Sequence, residues 1–336
     1  MEFVDTKLPN KQRTVSIGIP SFNEEDNISR LLRSIGKLNN LSLQHGHQNN
    51  DHSSEEDVEA VDRNNILVSA DFKITEILIS DDSSDDTFRI VEKIAAENPS
   101  LSIRFLHHDT RRGVSAAWNE IFSEAKGEIT VLYDADVIVE ADTIAHLVQS
   151  MKGNIGLCAS NPKPLVSKSS TVARASLFIA EWLSSVRNER LSQFTVMGRA
   201  LSISSEVAKR IVIPENVIAL DLYLQCKVLE QGLGVVYNED AVVYFKPPDN
   251  MLDFSSQILR ARSGHKQINH LTVASRCNLD FRTGAVTTLK SAIKDPKGAL
   301  CLAICYLLLP YYKTRLTDVD SVRWHIARST KDFSNT

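Results

Sequence analysis

The 336-residue sequence has few cysteines and no excess of basic charge. Its five cysteines are an odd number without a C-x-x-C pair, which argues against a disulfide framework and favours a reducing, cytoplasmic location. Lys and Arg number 38 against 42 Asp and Glu, so the chain lacks the strongly basic face that nucleic-acid binders usually present. We therefore expect no nucleic-acid partner.

Long hydrophobic segments are also absent. Residues 1–14 are polar and lack the apolar core of a signal peptide. The longest apolar run, residues 299–312, is shorter than the ~18–20 residues that span a bilayer. It is either a core helix or a helix lying in a membrane interface. Because arginines follow it, the second interpretation predicts peripheral contact with the cytoplasmic membrane face.

What the sequence does contain is a regular alternation of strand and helix patterns. Short apolar, β-prone segments occur at 15–19, 74–80, 102–107, 129–133 and 155–160. Between them, apolar residues follow helical spacing at 28–38, 87–98, 114–125 and 141–151. This order predicts an α/β fold: a mostly parallel, Rossmann-like sheet with helices on both faces.

The alternation stops after residue 160. We expect a loop at 161–164, and then a mainly helical part with two short strands. The predicted helices are 172–190, 205–211, 219–231, 252–271, 285–294 and 299–312, and the predicted strands are 233–237 and 241–245. Residues 39–73 are too polar to pack well and are predicted to be a surface insertion. Its histidines 45, 47 and 52 are either solvated or bind a metal.

Polar clusters follow four successive strands of the predicted sheet. They are residues 21–24, 81–82, 109–112 and 134–136. In such sheets ligands bind outside the carboxyl ends of the strands, so we expect these clusters to meet at one site.

Each cluster has its own chemistry. Asp134 and Asp136 are two carboxylates that suit Mg²⁺ or Mn²⁺, unless they only form a solvated turn. Asp82 can accept hydrogen bonds from a nucleobase or ribose, while its neighbours cap the next helix. Arg112 and Gly113 precede a helix, where backbone N–H groups, the helix dipole and a guanidinium together favour a diphosphate.

The segments VSIGIPSFNEED, ILISDDSSDDT, RRGVSAAWN and YDADV occur in this order. Together they resemble the nucleotide-binding half of an inverting family 2 glycosyltransferase with a GT-A fold. The similarity covers residues 14–160 well and 195–265 loosely. It implies a hexosyltransferase-type enzyme that moves a sugar, most commonly from a UDP-sugar, to an acceptor hydroxyl. A divalent cation, Mg²⁺ or Mn²⁺, is the implied cofactor, and the acceptor is a sugar, a glycan or a lipid-linked sugar.

The resemblance assigns donor-site roles to individual residues. Pro20, Asn23 and Glu24 would border the nucleobase and ribose, and Asp82 would contact the base. Arg112 and Gly113 would lie near the diphosphate. Asp134 would reach the ribose or the metal, and Asp136 would bind the metal.

The acceptor half departs from the family pattern. Asp221 matches the catalytic base, but Ala219 and Leu220 stand where the family usually has another acid. Gly198 resembles the glycine segment beside the acceptor. Gln257, Arg260 and His265 fall in or near a Q-x-x-R-W box whose Trp is replaced by Ala261. They are candidates for contact with the acceptor or the diphosphate.

The implied organisation is an N-terminal tail (1–13) and a donor-binding half (14–160) that carries the insertion. An acceptor-binding half (161–273) and a helical C-terminal extension (274–336) follow. The altered acceptor motifs keep a second hypothesis open, a non-catalytic sugar-nucleotide-binding or scaffold protein of the same fold. A phosphate-receiver signalling domain is a weaker alternative, because too few residues separate Asp134 from the Lys163-Pro164 pair.

Overall fold

The structure is a computed structural model that describes residues 12–45, 72–166, 170–316 and 330. These residues form an eight-stranded sheet in the order β3-β2-β1-β4-β7-β6-β8-β5. The strands are β1 (Arg13–Ser21), β2 (Phe72–Asp81), β3 (Ile103–His107), β4 (Ile129–Tyr133), β5 (Val137–Val139), β6 (Ile155–Pro164), β7 (Ala200–Ser204) and β8 (Gly234–Phe245). Four of the seven pairings are parallel, which confirms the predicted mostly parallel α/β sheet.

Eleven α-helices accompany this sheet in the described ranges. They are α1 (Ile28–His45), α2 (Thr87–Glu97), α3 (Val114–Glu124), α4 (Thr143–Gln149), α5 (Thr171–Glu189), α6 (Ser205–Lys209), α7 (Leu220–Glu230), α8 (Met251–Gln267), α9 (Asn269–Ala274), α10 (Phe281–Lys294) and α11 (Pro296–Arg315). None of these is both long enough and apolar enough to cross a bilayer.

Helices cover both faces of the sheet because side chains alternate along each strand. Ile77 and Ile79 of β2 pack in a core with α1, α2 and α4, whereas Leu78 packs on the other face with α3, α6 and α7. Helix α3 approaches β1 closely at Gly18, where an added Cβ would overlap the Ile121 side chain of α3. The predicted helices on both faces are thus confirmed.

A separate small core joins the C-terminal helices to the rest. Buried side chains of α5, α8 and α11 meet there, among them Val172, Phe254 and Cys305. Side-chain caps begin several of these helices; Asn250 accepts from the Asp253 N–H at α8, and Asp295 accepts from the Gly298 N–H at α11. The predicted C-terminal helical region is confirmed.

Several predicted boundaries are wrong. Residues 161–164 are not a loop but the end of β6, which pairs with β8 up to Phe245. Strand β7 pairs only with residues 157–159 of β6, so the later prolines need no donor on that side. The two strands predicted at 233–245 are one strand, whose register with β6 shifts between Ala159 and Asn161.

Other differences concern the ends of elements. Helix α1 runs to His45 and β2 begins at Phe72, so the ends of the predicted 39–73 insertion are regular structure. Likewise β1 begins at Arg13, inside the predicted tail. The helix predicted at 252–271 is two helices, α8 and α9. His47, His52 and the rest of the insertion, most of the N-terminal tail and nearly all of the C-terminal tail lie outside the described residues.

Candidate active site

The carboxyl ends of β3, β2, β1 and β4 lie side by side at one edge of the sheet, because these four strands are parallel neighbours. The polar clusters predicted from the sequence follow these ends. A pocket at this edge is lined by Pro20, Asp134, Gly198 and Arg199. The topology therefore brings the first strand end to the two segments expected to bind metal and acceptor.

The loops after β1 and β2 are tied together by Asn23 and Glu24. The Asn23 N–H donates to the Ser83 hydroxyl at 2.8 Å, and the Asn23 side-chain oxygen accepts from the Ser84 N–H at 2.9 Å. The Glu24 N–H donates to the Thr87 hydroxyl at 2.9 Å. Asn23 adopts a left-handed backbone conformation, with φ +53°. Both residues thus fix the relative position of the two loops where the base was expected.

Asp82 forms the centre of a second network. One carboxylate oxygen accepts from the backbone N–H groups of Arg112 (2.7 Å) and Gly113 (3.0 Å), and the other accepts from Arg112 Nε (3.1 Å). These donors open helix α3, so the carboxylate also faces the positive end of the helix dipole. The same guanidinium bonds Glu120 at 2.9 Å. The donors predicted to lie near a diphosphate thus hold Asp82 in this structure.

Asp134 and Asp136 follow β4 and lie against Arg199. The Arg199 Nη1 atom is 3.2 and 3.4 Å from the two Asp136 oxygens and 3.8 Å from Asp134 Oδ2. The Asp134 and Asp136 side chains are 22% and 16% exposed. Burial raises the pKa of Asp134 to about 6, against the opposing charge of Arg199, and the charge of Asp136 adds to the rise.

Asp221 lies in the first turn of α7 and faces this pair across Gly198. Its two oxygens accept from the Gly198 N–H and the Leu222 N–H, each at 2.9 Å. A Cβ on Gly198 would lie 3.9 Å from Asp221 Oδ2 and 4.0 Å from Asp134 Oδ2. Burial raises the pKa of Asp221, while these hydrogen bonds and the charge of His265 oppose the rise. A half-buried carboxylate therefore lies next to the candidate metal ligands.

Helix α8 adds positive charge to this cluster. Burial lowers the pKa of Arg260, and the charges of Arg199 and the three aspartates act on it. Burial also lowers the pKa of His265, against the charge of Asp221. The His265 ring lies 5.3 Å from that of Phe194, which in turn lies 5.4 Å from that of Trp182. Gln257 precedes Arg260 by one turn of α8.

The chemistry of the donor set fits a divalent cation only in part. Two carboxylates at the edge of a pocket match the ligands that Mg²⁺ takes together with substrate phosphates. Within the described ranges no group of three or more His, Cys, Asp or Glu side chains is placed to hold a metal. A cation at Asp134 and Asp136 therefore needs further oxygens from a substrate.

Comparison with known families decides the family of the chain. The family model described as "Glycosyl transferase family 2" matches residues 16–191, about half of the sequence. The chain belongs to glycosyl transferase family 2. The match contains most of β1, all of β2 to β6 and the Asp82, Arg112 and Asp134–Asp136 clusters, so it confirms the family inferred from these motifs.

Individual relatives of this family 2 chain are distant. It is 25% identical over 201 residues to a poly-beta-1,6-N-acetyl-D-glucosamine synthase of Staphylococcus aureus, over 56% of this chain and 47% of the synthase. It is 34% identical over 71 residues to a beta-monoglucosyldiacylglycerol synthase of Trichormus variabilis, over 21% of this chain and 15% of that protein. The chain thus spans about half, or less, of the length of the curated relatives it matches.

Solved structures with similar folds share still less sequence. The mannosyltransferase PcManGT of Pyrobaculum calidifontis has 19% identity and a TM-score of 0.49, over 94% of this chain and 86% of that one. The glucosyl-3-phosphoglycerate synthase of Mycobacterium tuberculosis has 16% identity and a TM-score of 0.44, over 80% of each chain.

Sequence reasoning missed several residues of this family 2 site. Arg199 is not among the predicted site residues, yet it bonds Asp136. Glu120 completes the Asp82–Arg112 network, and Phe194 stacks beside His265. The signal for Arg199 was its place directly after Gly198. Glu120 and Phe194 carry no local signal, because tertiary contacts alone bring them to the site.

Proposed function

We propose that the chain is an inverting glycosyltransferase that moves a sugar from a nucleoside-diphosphate sugar, most commonly a UDP-sugar, to an acceptor hydroxyl. Membership of family 2 supports the reaction class. The observation that carries the proposal is the position of Gly198. A Cβ added there would lie within 4.0 Å of the Oδ2 atoms of both Asp221 and Asp134. A candidate base and a candidate metal ligand therefore flank the same narrow space.

Asp221 is proposed as the catalytic base. It takes the proton of the acceptor hydroxyl as that oxygen attacks the anomeric carbon of the sugar. The bond from the anomeric carbon to the diphosphate breaks, and its electron pair leaves with the nucleotide. A single displacement of this kind inverts the anomeric configuration and needs no covalent nucleophile on the protein. The raised pKa of Asp221 makes its carboxylate a better proton acceptor than an exposed aspartate.

The donor is proposed to lie along the carboxyl ends of the parallel strands. Pro20, Asn23 and Glu24 would shape the pocket for the base and ribose, and Asp82 would contact the base. Because Arg112 and Gly113 donate to Asp82, we assign them to orienting that carboxylate rather than to direct contact with the diphosphate.

Asp136, together with Asp134, would hold a divalent cation, Mg²⁺ or Mn²⁺. When bound, such a cation offsets the negative charge that builds on the departing diphosphate. Arg260 lies within electrostatic range of all three aspartates and would add to that stabilisation. Gly198, Gln257 and His265 would border the acceptor. Residues 14–160 would thus bind the donor and residues 161–273 the acceptor.

Thermal unfolding with different nucleotide sugars tests this proposal. UDP-, GDP-, dTDP- and CMP-sugars are each added with Mn²⁺ or with EDTA. A ligand at a hundredfold excess over its Kd should stabilise the protein by about 2.7 kcal/mol. We expect a metal-dependent shift for one nucleotide class, lost in Asp136→Ala but kept in the control Asp240→Ala, an exposed position on β8. A folded protein that responds to none of them would favour the scaffold hypothesis.

We also propose peripheral membrane contact through α10 and α11. The outward face of these helices is apolar, and Leu289, Ile293 and Leu307 are 63%, 72% and 80% exposed. Residues 281–315 carry six basic residues and one acidic residue, in a chain of net charge −4. Exposed apolar side chains on helices rich in basic residues are typical of a segment that lies on an anionic lipid surface.

Vesicle flotation tests this contact. The protein should float with vesicles that contain phosphatidylglycerol and much less with phosphatidylcholine alone. Leu307→Glu should reduce flotation, whereas Val212→Glu, at a position 75% exposed elsewhere on the surface, should not. Equal flotation of both variants, or none of the unaltered protein, would contradict the contact.

A further inference from the structure

The turn that carries Arg199 is held in an unusual conformation. Gly198 and Arg199 have φ angles of +31° and +67°, and the Ala200 N–H donates to the Gly198 carbonyl at 2.8 Å. Such a tight three-residue turn with a positive φ at its centre is rare for a residue other than glycine. Strained backbone of this kind persists where the surrounding contacts fix it, and it concentrates at functional sites.

The contacts that hold this turn come from Asp221 on one side and Asp134 on the other. On one side the Gly198 N–H donates to Asp221. On the other, the Arg199 N–H donates to Asp134 Oδ2 at 3.3 Å, and the Arg199 carbonyl accepts from the Asp134 N–H at 2.9 Å. The turn is thus bonded to the candidate base and to a candidate metal ligand at the same time.

The side chain of Arg199 lies against both candidate metal ligands. Its Nη1 atom is within 3.4 Å of both Asp136 oxygens and 3.8 Å from Asp134 Oδ2. The guanidinium carbon lies 4.6 Å from the centre of the Phe245 ring, which holds the group from its flat side. A fixed cation therefore already neutralises part of the charge of this acidic pair.

A divalent cation that binds Asp136 must displace this guanidinium or share its carboxylates. The displaced guanidinium is only 23% exposed, so it needs another anion, because a half-buried unpaired charge is costly. Arg260 adds to the cost, since the two arginine charges repel each other. A diphosphate brought in with the cation would provide both the missing metal ligands and a new partner for Arg199.

We infer that Arg199 is a resident counter-cation of Asp134 and Asp136 that makes metal binding depend on the nucleotide. It opposes binding of the free divalent cation, and it pairs with the diphosphate when metal and nucleotide enter together. The inference rests on the proposed function and goes beyond it by stating what the metal binds with. Free metal binds poorly, whereas metal and nucleotide together bind well.

Electron paramagnetic resonance of Mn²⁺ measures this without turnover. Free Mn²⁺ is titrated into the unaltered protein, Arg199→Gln and the control Arg210→Gln, first alone and then with saturating UDP or GDP. Gln keeps the Cβ and the length of the arginine stem, so the backbone strain is unchanged. Arg210 pairs with Glu206 on exposed α6, away from the site.

We expect Arg199→Gln to bind free Mn²⁺ at least tenfold more tightly than the unaltered protein and the Arg210 control do. The nucleotide should strengthen Mn²⁺ binding to the unaltered protein by tenfold or more, and to Arg199→Gln by much less. Adding Asp136→Ala to Arg199→Gln should abolish the gain in affinity for free Mn²⁺.

Unchanged or weaker binding of free Mn²⁺ by Arg199→Gln would overturn the inference, and so would a nucleotide effect of equal size in both proteins. In either case, nucleotide-dependent Mn²⁺ binding by the unaltered protein would leave the proposed function standing. If no variant bound Mn²⁺ with or without nucleotide, both the inference and the proposed metal site would fall.

Discussion

Replacement of Asp221 by Asn should stop sugar transfer while leaving the donor site intact. Asn has nearly the same shape but cannot take a proton from an acceptor hydroxyl. Loss of a general base typically costs 10²–10⁴-fold in rate, or about 2.7–5.4 kcal/mol of activation free energy. Because Asp221 contacts Gly198 and Leu222 rather than the Asp82 network, the Kd for the nucleotide should stay within about threefold.

The same change should have only a modest effect on folding. Both Asp221 oxygens accept from backbone N–H groups, and the Asn side chain can satisfy only one of them. An unsatisfied buried donor costs about 1–3 kcal/mol. Burial raises the Asp221 pKa, so the charged carboxylate itself costs folding free energy at neutral pH, and Asn removes that cost. The net loss should therefore fall at the low end of this range.

The assay follows nucleotide release from the donor with candidate acceptors, next to nucleotide binding and urea unfolding. The control Glu230→Gln changes an exposed acid at the other end of α7, where it pairs with Lys227, and should behave like the unaltered protein. The assignment of Asp221 as the base is refuted if folded Asp221→Asn retains transfer within tenfold of the unaltered protein. It is also refuted if nucleotide binding is lost as completely as transfer, because Asp221 would then act on the donor.

Three further predictions concern the same structure. Gly198→Ala should lower transfer at least tenfold, because its methyl group would enter the space between Asp221 and Asp134. A variant whose acceptor KM and kcat equalled those of the unaltered protein would count against this geometry. Transfer should fall as the pH drops through the raised pKa of Asp221, at a higher pH than for an ordinary aspartate; the test is a pH–rate profile of kcat. Glu76→Gln should lower the unfolding free energy by about 1.5–3 kcal/mol at pH 7, since this buried carboxylate accepts from Ser16, Arg104 and the Lys126 N–H.

The Glu76 effect should also depend on pH with a fixed sign. Burial opposes ionisation, but these hydrogen bonds outweigh it and lower the Glu76 pKa below 4.5. The carboxylate therefore stabilises the fold fully above pH 4.5, and this stabilisation is lost as the pH falls through the lowered pKa. Urea unfolding at pH 7 and near pH 4 compares Glu76→Gln with the exposed control Glu97→Gln. A difference that grew toward acid pH would contradict the assignment.

The first four strands and their helices could be predicted because their patterns are local. Each strand is a short apolar run, and in α1 the residues Ile28, Leu31, Leu32 and Ile35 lie at helical spacing and are buried. Strand β7 could not be predicted in this way. Its Ser202 is fully buried and donates to the Leu147 carbonyl, so a polar residue occupies a core position that only tertiary contacts explain.

In the candidate site, too, some residues follow local patterns and others are placed only by tertiary contacts. Asp82, Asp134 and Asp136 follow strands directly, so parallel pairing alone predicts that they share an edge. Arg199 reaches Asp136 because β4 pairs antiparallel with β7, which sets Tyr133 opposite Ala200. That register joins segments distant in the sequence, and no local pattern reveals it.

Proton NMR of a reaction mixture tests the central claim most directly. Protein, diamagnetic Mg²⁺ and the nucleotide sugar that stabilises the protein are incubated with candidate acceptors, and the anomeric proton of the sugar is followed. We predict that the donor signal decays while a product signal of opposite anomeric configuration grows, and that neither change occurs with Asp221→Asn. A donor signal that stayed constant in folded, nucleotide-bound protein with every acceptor, or a product of retained configuration, would contradict it.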